Sequence, residues 1–562
     1  MKTTKKTPDA GNNIDRPRSA GASGRTLRRL AGAIALMHGA AAFAQVVAPN
    51  QVDAAALQRQ ETERRRIQEQ AVRAVEAPVP VIRNEQPAPS AVPMTPGVQF
   101  TLREIRFGPS TYLSGADLAG LAARHVGKKI DFNDLSNLVA EVNALYRQRG
   151  VTTARAILRP QKIEGGVVQI ELVEARLGRV EVAGNAYTRP GWVAGWLSGQ
   201  QGQTLDLERI EDRLQRFNRG GEVQMEASLR PGASFGLSDI LLTVREPARF
   251  QVRGFLNNEG SESIGREQLG VDATFNGPAG IGDRLALNVT RSRGATMGYV
   301  SYKVPFNRRG GNVSATYSDS ATNVLAGPYA ALGITGRSKS FQLAAVEPVW
   351  HRGGVWIDLA ASVGRTASEN LIDGLMLSDS VIRNQTIGAT VSALSSQRSM
   401  NLTLTATRAT ATAVNTEKRS FTVRQLAGTL VENFGDKHFA SLRATLQNTN
   451  QVILPPSLLF QLGGVASVRG YEVGAVSGDN GYLFNLEFHR TLSDDFSAFV
   501  FSDVGGVRIR DVPNQRVQSI GAGLDLQSGK AMRANITLGY ALKEVLPDQS
   551  KLRLTGRVSY EF

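Results

Sequence analysis

The chain has 562 residues, too many for one ordinary domain, so we expect several domains. It contains no cysteine, which excludes disulfide scaffolds, thiolate metal sites and cysteine nucleophiles. The formal net charge is +15, but the basic residues are scattered rather than gathered into a stripe. This distribution argues against nucleic-acid binding.

The N-terminus is typical of a secretory signal peptide. Arg25, Arg28 and Arg29 precede an apolar run that ends in small residues, with Ala44 standing before Gln45. We therefore predict a signal peptide over residues 1–44, cleaved after Ala44, that sends the chain to the periplasm. The segment ahead of Arg25 is long, which either an extended signal or a start codon assigned too far upstream would explain. A buried helix is the alternative.

Residues 51–75 read as a polar helix followed by a proline-rich linker over 76–97. The helix contains no Gly or Pro and is rich in helix formers, but it has too few apolar residues to pack against a core. The repeated prolines of the linker favour a semi-rigid extended chain. A helix that cannot pack, held on a long tether, is a movable element. A merely disordered N-terminal arm is the alternative.

Residues 98–247 carry a repeat of roughly seventy residues, which we divide into copies over 98–175 and 176–247. Each copy reads as β-α-α-β-β, with one strong amphipathic helix that starts near Asp131 or Leu207 and stops at Gly150 or Gly220. The predicted fold leaves a sheet edge free in each copy. A free edge is what the binding of an extended peptide by strand addition requires.

From residue 248 to Phe562 the pattern changes to segments of about ten residues with period-two alternation, the length of a strand that crosses a bilayer. One face is apolar and the other is polar, as in a soluble sandwich or in a membrane barrel with a polar lumen. The final segment ends on Phe562, and it would be an exposed edge unless it paired with the first strand. We therefore predict a transmembrane barrel of about sixteen antiparallel strands. Their predicted starts are Phe250, Arg266, Arg284, Met297, Asn312, Ser338, Val355, Val381, Met400, Phe421, His438, Gly481, Phe496, Ser519, Arg533 and Leu552.

Two short motifs stand out in the barrel region. Val468-Arg469-Gly470-Tyr471 lies in a glycine-rich loop before the twelfth predicted strand. The second motif, Phe501-Ser502-Asp503-Val504-Gly505, lies on the next strand, where the alternation puts Phe499, Phe501 and Asp503 on one face. An Arg that enters a confined lumen and meets an Asp there would form a charge-assisted pair.

Together these features resemble the transporters of two-partner secretion, the TpsB class of haemolysin and filamentous-haemagglutinin secretion, within the superfamily of outer-membrane POTRA and β-barrel proteins. The resemblance implies a lumenal plug helix at 51–75, two POTRA domains at 98–175 and 176–247, and a sixteen-stranded barrel at 248–562. It also implies that the loop over 450–480 enters the lumen. There Arg469 would form a salt bridge with Asp503 while Phe501 and Tyr471 pack beside it. Further residues to which the resemblance gives a role are Val468, Gly470 and Gly505 in the two motifs, and Tyr560 and Phe562 in the barrel assembly signal.

The function that the resemblance implies is a pore in the outer membrane of a Gram-negative bacterium, with its POTRA domains in the periplasm. It would secrete a large TpsA-like exoprotein, bound through the POTRA domains, and would also contact outer-membrane lipid and, during biogenesis, the barrel assembly machinery. No phosphate-binding G-x-x-x-x-G-K-[ST] loop is present, so ATP is not expected to drive export. We expect no cofactor, no metal site and no nucleic-acid partner.

Three alternatives remain open: an outer-membrane insertase of the same superfamily, a barrel enzyme and a simple porin. Insertases usually carry more POTRA domains, and a porin would not need the repeats. An enzyme is disfavoured because His489 and Glu487, which face the lumen together, have no neighbouring Ser nucleophile or metal-ligand spacing.

Overall fold

The computed structural model describes residues 82–84 and 99–562, except 152, 328, 414–417, 452, 511, 530 and 547–548. Two small α+β units precede a closed barrel. We call residues 99–175 unit 1 and residues 176–247 unit 2. Their elements are β1 (Ile82–Asn84), β2 (Phe100–Thr101), β3 (Glu104–Phe107), α1 (Gly115–Ala122), β4 (Lys129–Ile130), α2 (Phe132–Gln148), β5 (Ala154–Ile157), β6 (Val167–Glu174), β7 (Arg176–Ala183), α3 (Pro190–Ala194), α4 (Leu207–Gly220), β8 (Gln224–Pro231) and β9 (Leu237–Arg245).

The remaining strands belong to the barrel and to one loop within it. They are β10 (Phe250–Asn257), β11 (Gln268–Asn276), β12 (Arg284–Arg291), β13 (Ala295–Pro305), β14 (Asn312–Asn323), β15 (Ile334–Arg352), β16 (Val355–Ile372), β17 (Leu375–Leu394), β18 (Arg398–Ala413), β19 (Arg419–Asn433), β20 (His438–Asn448), β21 (Phe460–Leu462), β22 (Val476–Gly478), β23 (Asn480–Thr491), β24 (Phe496–Arg508), β25 (Gln515–Ser528), β26 (Met532–Ala541) and β27 (Leu552–Glu561). None of the helices that the structure describes is long and apolar enough to cross a membrane.

Unit 1 is organised by α2, whose sequence specifies both its start and its buried face. Asp131 caps the helix by accepting hydrogen bonds from the N–H groups of Asn133 and Asp134, and the Asp134 side chain reciprocates. The buried stripe recurs every three or four residues, which places it along one side of the helix. It consists of Leu135, Leu138, Val142 and Tyr146. This face packs on the sheet β3-β6-β5, in which β3 runs parallel to β6.

Unit 2 has the predicted β-α-α-β-β order, but its sheet contains one strand more than expected. The sheet order is β1-β8-β9-β7, and β1 comes from the proline-rich segment ahead of unit 1. β1 pairs in parallel with β8 from Ile82–Ala227 to Asn84–Leu229, and Ile82 packs against the core of unit 2. The linker itself therefore supplies the hydrogen-bonding partner at the β8 side of the sheet, and β7 forms the opposite edge.

The predicted sixteen-stranded antiparallel barrel is confirmed. It runs from β10 to β20 and from β23 to β27 in sequence order, and β27 closes on β10. Outward positions such as Val500 are exposed, whereas Asp503 on the same strand is fully buried on the lumen side. Closure leaves no unpaired edge, which a strand in hydrocarbon could not tolerate.

Predicted and observed strand starts coincide for seven of the sixteen barrel strands. β10, β12, β14, β16, β20, β24 and β27 start at the predicted residues. β15 and β17 instead start at Ile334 and Leu375, ahead of the predicted Ser338 and Val381. These extensions lie beyond the apolar band, where the alternation that identifies a membrane strand fades.

Unit 2 contacts the turns at one rim of the barrel, and since units 1 and 2 are expected in the periplasm, we call that rim periplasmic. Arg219 of α4 is 2.5 Å from Asp358 at the start of β16, and its guanidinium lies 4.6 Å from the ring centre of Trp356. Glu222 lies 3.4 Å from Arg284 at the start of β12. The strand ends at the opposite rim are therefore extracellular.

Two predicted segments, the signal peptide with its cleavage site at Ala44 and Gln45 and the helix over 51–75, lie outside the described residues. Both remain predictions.

A half-buried carboxylate in unit 1 makes the stability of this unit depend on pH. Burial alone would raise the pKa of Glu174, but hydrogen bonds from the Ser110 hydroxyl and from the N–H groups of Thr111 and Tyr112 hold the pKa below its ordinary value. Its ionised form therefore stabilises unit 1 above about pH 4.3, the ordinary glutamate pKa, and this contribution is lost as the pH falls through the lower folded pKa.

We expect Glu174→Gln to weaken unit 1 at neutral pH and to remove this acid-dependent loss. Hydrogen exchange of peptides covering α2 in the full chain, corrected for the intrinsic rate at each pH, measures both effects. The exposed Glu164→Gln is the matched control. Equal pH profiles for Glu174→Gln and the unsubstituted chain would contradict this role.

Candidate functional site

The segment between β20 and β23, residues 449–479, folds back into the barrel, and we call it the inner loop. Its two arms pair as the hairpin β21–β22 and are fully buried. Close approach to the wall depends on glycine: a Cβ added at Gly505 would lie 2.6 Å from Leu462, and one at Gly481 would lie 2.0 Å from Phe460. The loop is thus packed against the wall strands β23 and β24.

Arg469 at the tip of the inner loop is held by Asp503 on the barrel wall. Its Nε and Nη2 atoms donate hydrogen bonds of 2.8 and 2.7 Å to the two carboxylate oxygens, and its backbone N–H donates a third at 3.0 Å. Asp503 is completely buried and Arg469 is 7% exposed. The structure therefore brings together the two residues that the motifs single out, in the bidentate geometry that favours Arg.

The ion pair belongs to a larger buried cluster that spans β20, β23 and β24. Nη1 of Arg469 lies 2.5 Å from Oε1 of Glu487. Asn485 donates to Asp503 at 2.7 Å and to the Ser467 carbonyl at 2.6 Å, while its own oxygen accepts from Arg443. Two arginines thus face two carboxylates, and this balance makes the burial of four charges tolerable.

Aromatic rings cover the open sides of the cluster. The guanidinium of Arg469 lies 3.5 Å from the ring centre of Phe501, a cation–π contact. His489 lies 2.8 Å from Glu487 and is stacked between Phe439 and Phe499, at ring distances of 4.3 and 4.8 Å. These rings exclude water, so the charges interact in a medium of low polarity.

Gly470 and Tyr471 fix the loop tip against the neighbouring strands. Gly470 has φ of +88°, a conformation that favours glycine, and a Cβ there would lie 3.2 Å from the backbone of Gly539. Tyr471 is fully buried, and its hydroxyl lies 2.9 Å from the Gln518 carbonyl oxygen and 2.8 Å from that of Lys543. The hydroxyl therefore joins the tip to the extracellular ends of β25 and β26.

Glu472 forms a second attachment, at the seam where the barrel closes. One of its oxygens accepts a hydrogen bond of 2.7 Å from the backbone N–H of Glu262, and the other contacts Arg553 on β27. Arg553 also lies 2.7 Å from the Glu262 carboxylate. The inner loop consequently links β24 to β27 and to the turn that follows β10.

Sequence reasoning identified Arg469, Gly470, Tyr471, Phe501, Asp503 and Gly505, and all of them lie in this site. Val468 is fully buried there as well. The sequence alone did not indicate that Arg443, Asn485 and Glu472 take part, because their roles depend on which strands are neighbours. The lumenal position of Glu487 could be anticipated, since the alternation places it on the same face as His489.

Tyr560 and Phe562 lie far from this cluster, next to each other at the periplasmic end of the seam, with ring centres 5.1 Å apart. The Phe562 N–H donates to Val252 on β10. Their proposed part in barrel assembly remains a prediction.

Family models match most of the described chain. The model of the haemolysin secretion/activation protein ShlB/FhaC/HecB matches residues 236–527, and that of the ShlB-type POTRA domain matches residues 100–175.

Individual proteins show the same similarity along the chain. The heme/hemopexin transporter protein HuxB of Haemophilus influenzae is 26% identical over 568 residues, which covers 90% of this chain and 94% of HuxB. The outer membrane transporter CdiB of Dickeya dadantii is 27% identical over 293 residues, 50% of this chain and 51% of the relative. The solved structure of CdiB from Escherichia coli has the same fold, with a TM-score of 0.68 at 22% identity over 92% of this chain and 100% of that one.

We expect Asp503→Ala to release the tip of the inner loop, because it leaves two buried arginines facing one carboxylate. Removing one partner of a buried ion pair costs about 3–5 kcal/mol. The chain has no cysteine, so Val468→Cys provides a single reporter thiol at a fully buried position. Its modification by a maleimide should be slow in the Val468→Cys chain and at least tenfold faster when Asp503→Ala is added.

Asp525→Asn is the matched control, since Asp525 lies on the neighbouring strand and hydrogen-bonds Asn535 at 2.8 Å. Equal modification rates with and without Asp503→Ala would contradict the anchor.

Proposed function

Because the chain belongs to the haemolysin secretion/activation family ShlB/FhaC/HecB, it is an outer-membrane transporter that secretes a partner exoprotein, and we propose that its inner loop controls that passage. It works by two-partner secretion, with the barrel in the outer membrane of a Gram-negative bacterium and units 1 and 2 in the periplasm. The family match favours secretion over the insertase alternative.

The observation that carries the proposal is the buried anchor of Arg469. The inner loop is attached to the wall at β24 and to the seam strand β27, and it packs against residues of β17 to β19, so it occupies part of the lumen. A polypeptide can pass once the tip leaves, and departure requires Asp503, Glu487 and Glu472 to exchange their partners. Folding of the cargo outside supplies a driving force that needs no nucleotide.

Partner binding to units 1 and 2 is the second part of the proposal. Unit 1 has β5 and β3 at the edges of its sheet, where an extended segment of the exoprotein can add a strand. In unit 2 the edge at β8 is covered by β1. Docking there therefore requires the partner to displace the linker strand.

We also propose that the chain is a transporter without enzymatic activity. Each histidine in the part of the chain that the structure describes has a packing or ion-pair partner. The contacts are His125 with Glu141 at 3.2 Å, His351 with Asp212 at 2.5 Å, His438 stacked on Phe488, and His489 with Glu487. Within the same residues, no three His, Asp or Glu side chains are grouped so that they could hold a metal ion.

Secretion should fall at least tenfold in Asp503→Ala, because the loop tip can no longer return to one defined position. The measurement is the amount of co-expressed exoprotein in the medium. Arg469→Lys should be intermediate, since Lys keeps the charge but not the bidentate geometry.

Asp525→Asn should secrete normally, and the heat-modifiable migration of each variant on a gel checks that its barrel is inserted and folded. Undiminished secretion by correctly folded Asp503→Ala would refute the role of the anchor.

Opening the edge of β8 should strengthen partner binding. Arg83→Pro removes a backbone N–H from β1, and loss of its hydrogen bonds to β8 should lower the Kd for an N-terminal fragment of the exoprotein roughly tenfold. Arg83→Ala is the control, because it keeps the backbone N–H. Faster hydrogen exchange of β8 with an unchanged Kd would show that the partner docks elsewhere.

A further inference from the structure

Five consecutive barrel strands, β15 to β19, carry an exposed basic side chain at the extracellular end of the lipid-facing band. Each lies one or two outward positions beyond an apolar residue of the lipid-facing band on its strand. We call these residues the basic belt: Lys339 beyond Phe341, Arg365 beyond Val363, Arg383 beyond Ile387, Arg408 beyond Leu404, and Arg424 beyond Leu426. The apolar band of such barrels faces hydrocarbon, so the belt lies at the level of the outer-leaflet headgroups.

The register of the strands puts the basic belt at one height. Barrel strands tilt by about 35–45°, so residues at the same height in the membrane are displaced by about 1–1.5 residues in the register from each strand to the next. At three of the four pairs of neighbouring strands, the belt residue of the second strand lies two residues closer to the periplasmic end than the position opposite the first. At the remaining pair, the two belt residues are directly opposite each other. The edge of the apolar band is displaced in the same direction. The cross-strand partners are Lys339 with Ala367, Arg365 with Arg383, Gln385 with Arg408, and Ala406 with Arg424.

The centre of the belt is electrostatically unbalanced. Arg365 and Arg383 are directly opposite each other on the outward face, an arrangement that repels. Neither they nor Arg408 forms an ion pair or hydrogen bond with any residue that the structure describes. The nearest outward carboxylates on these two strands, Glu369 and Asp379, face each other about 13 Å farther along the strands toward the extracellular end. An anion from outside the chain is needed to neutralise the pair.

We propose that the basic belt binds the phosphate groups of lipopolysaccharide, the phosphorylated glycolipid of the outer leaflet. A ligand at this position needs acyl chains that lie against the apolar band and an anionic head directly above them. Lipopolysaccharide has both. Guanidinium groups match phosphate oxygens in a bidentate manner, which suits the Arg365–Arg383 pair. This contact fixes the depth of the long strands in the membrane and is independent of the exported cargo.

Binding of bisphosphorylated lipopolysaccharide to the purified full chain in a neutral detergent tests the proposal. The variant is Arg365→Gln with Arg383→Gln. Each cation near an anionic lipid surface contributes about fivefold in affinity, so the double variant should bind about 25-fold more weakly. The matched control, Arg352→Gln with Arg490→Gln, removes the same charge at the periplasmic rim and should bind as the unsubstituted chain does.

Two further probes separate the sources of phosphate. Dephosphorylated lipopolysaccharide should bind as weakly as the double variant does, and inorganic phosphate alone should bind far more weakly than the glycolipid. Equal affinity of the double variant and the unsubstituted chain, or of the phosphorylated and dephosphorylated glycolipid, would overturn the proposal. Inorganic phosphate that binds as tightly as lipopolysaccharide would also overturn it, since the belt would then be a site for free anions.

Discussion

The architecture depends on one electrostatic constraint, which is that a charge removed from water must meet an opposite charge. Arg469 is 7% exposed, and it can occupy the lumen only because Asp503 and Glu487 are placed to receive it. Those acids in turn require that β23 and β24 be neighbours in the observed register. The loop position, the strand pairing and the wall composition are therefore parts of a single arrangement, and the loop tip is held in the lumen only where the other two are in place.

Much of this could be predicted from the sequence, for reasons that differ between the elements. Period-two alternation revealed the barrel strands because one face meets lipid and the other meets the lumen. Asp503 could be assigned to the lumen from the alternation of its own strand. Arg443 and Asn485 could not be assigned to the anchor, since their contacts arise from pairing between strands. β1 was missed because it contributes mainly backbone hydrogen bonds, which leave little trace in a proline-rich segment.

The two ends of the barrel present different surfaces to their surroundings. At the periplasmic rim, Arg219 of unit 2 contacts Asp358 and Trp356, so this cation is matched within the chain. At the extracellular end, Arg365 and Arg383 are unmatched within the described chain and face outward. The first arrangement orients the domains that receive cargo, and the second is directed to the membrane. Similar residue types thus serve different surroundings according to where their counter-charges are located.

The attachments of the inner loop have a mechanical consequence for the barrel. Arg469 is attached to β24, Tyr471 reaches the ends of β25 and β26, and Glu472 meets the seam at β27. The loop therefore bridges β24 to β27 on the inside of the barrel, and its attachments hold the spacing of these four strands constant. On the other side, the inner loop packs in one hydrophobic cluster with residues of β17, β18 and β19, namely Ile382, Ala409, Phe421 and Val423. Apolar contacts are not directional, so a change in the cross-section of the pore while the loop is seated is taken up more readily on this side than at the hydrogen-bonded strands.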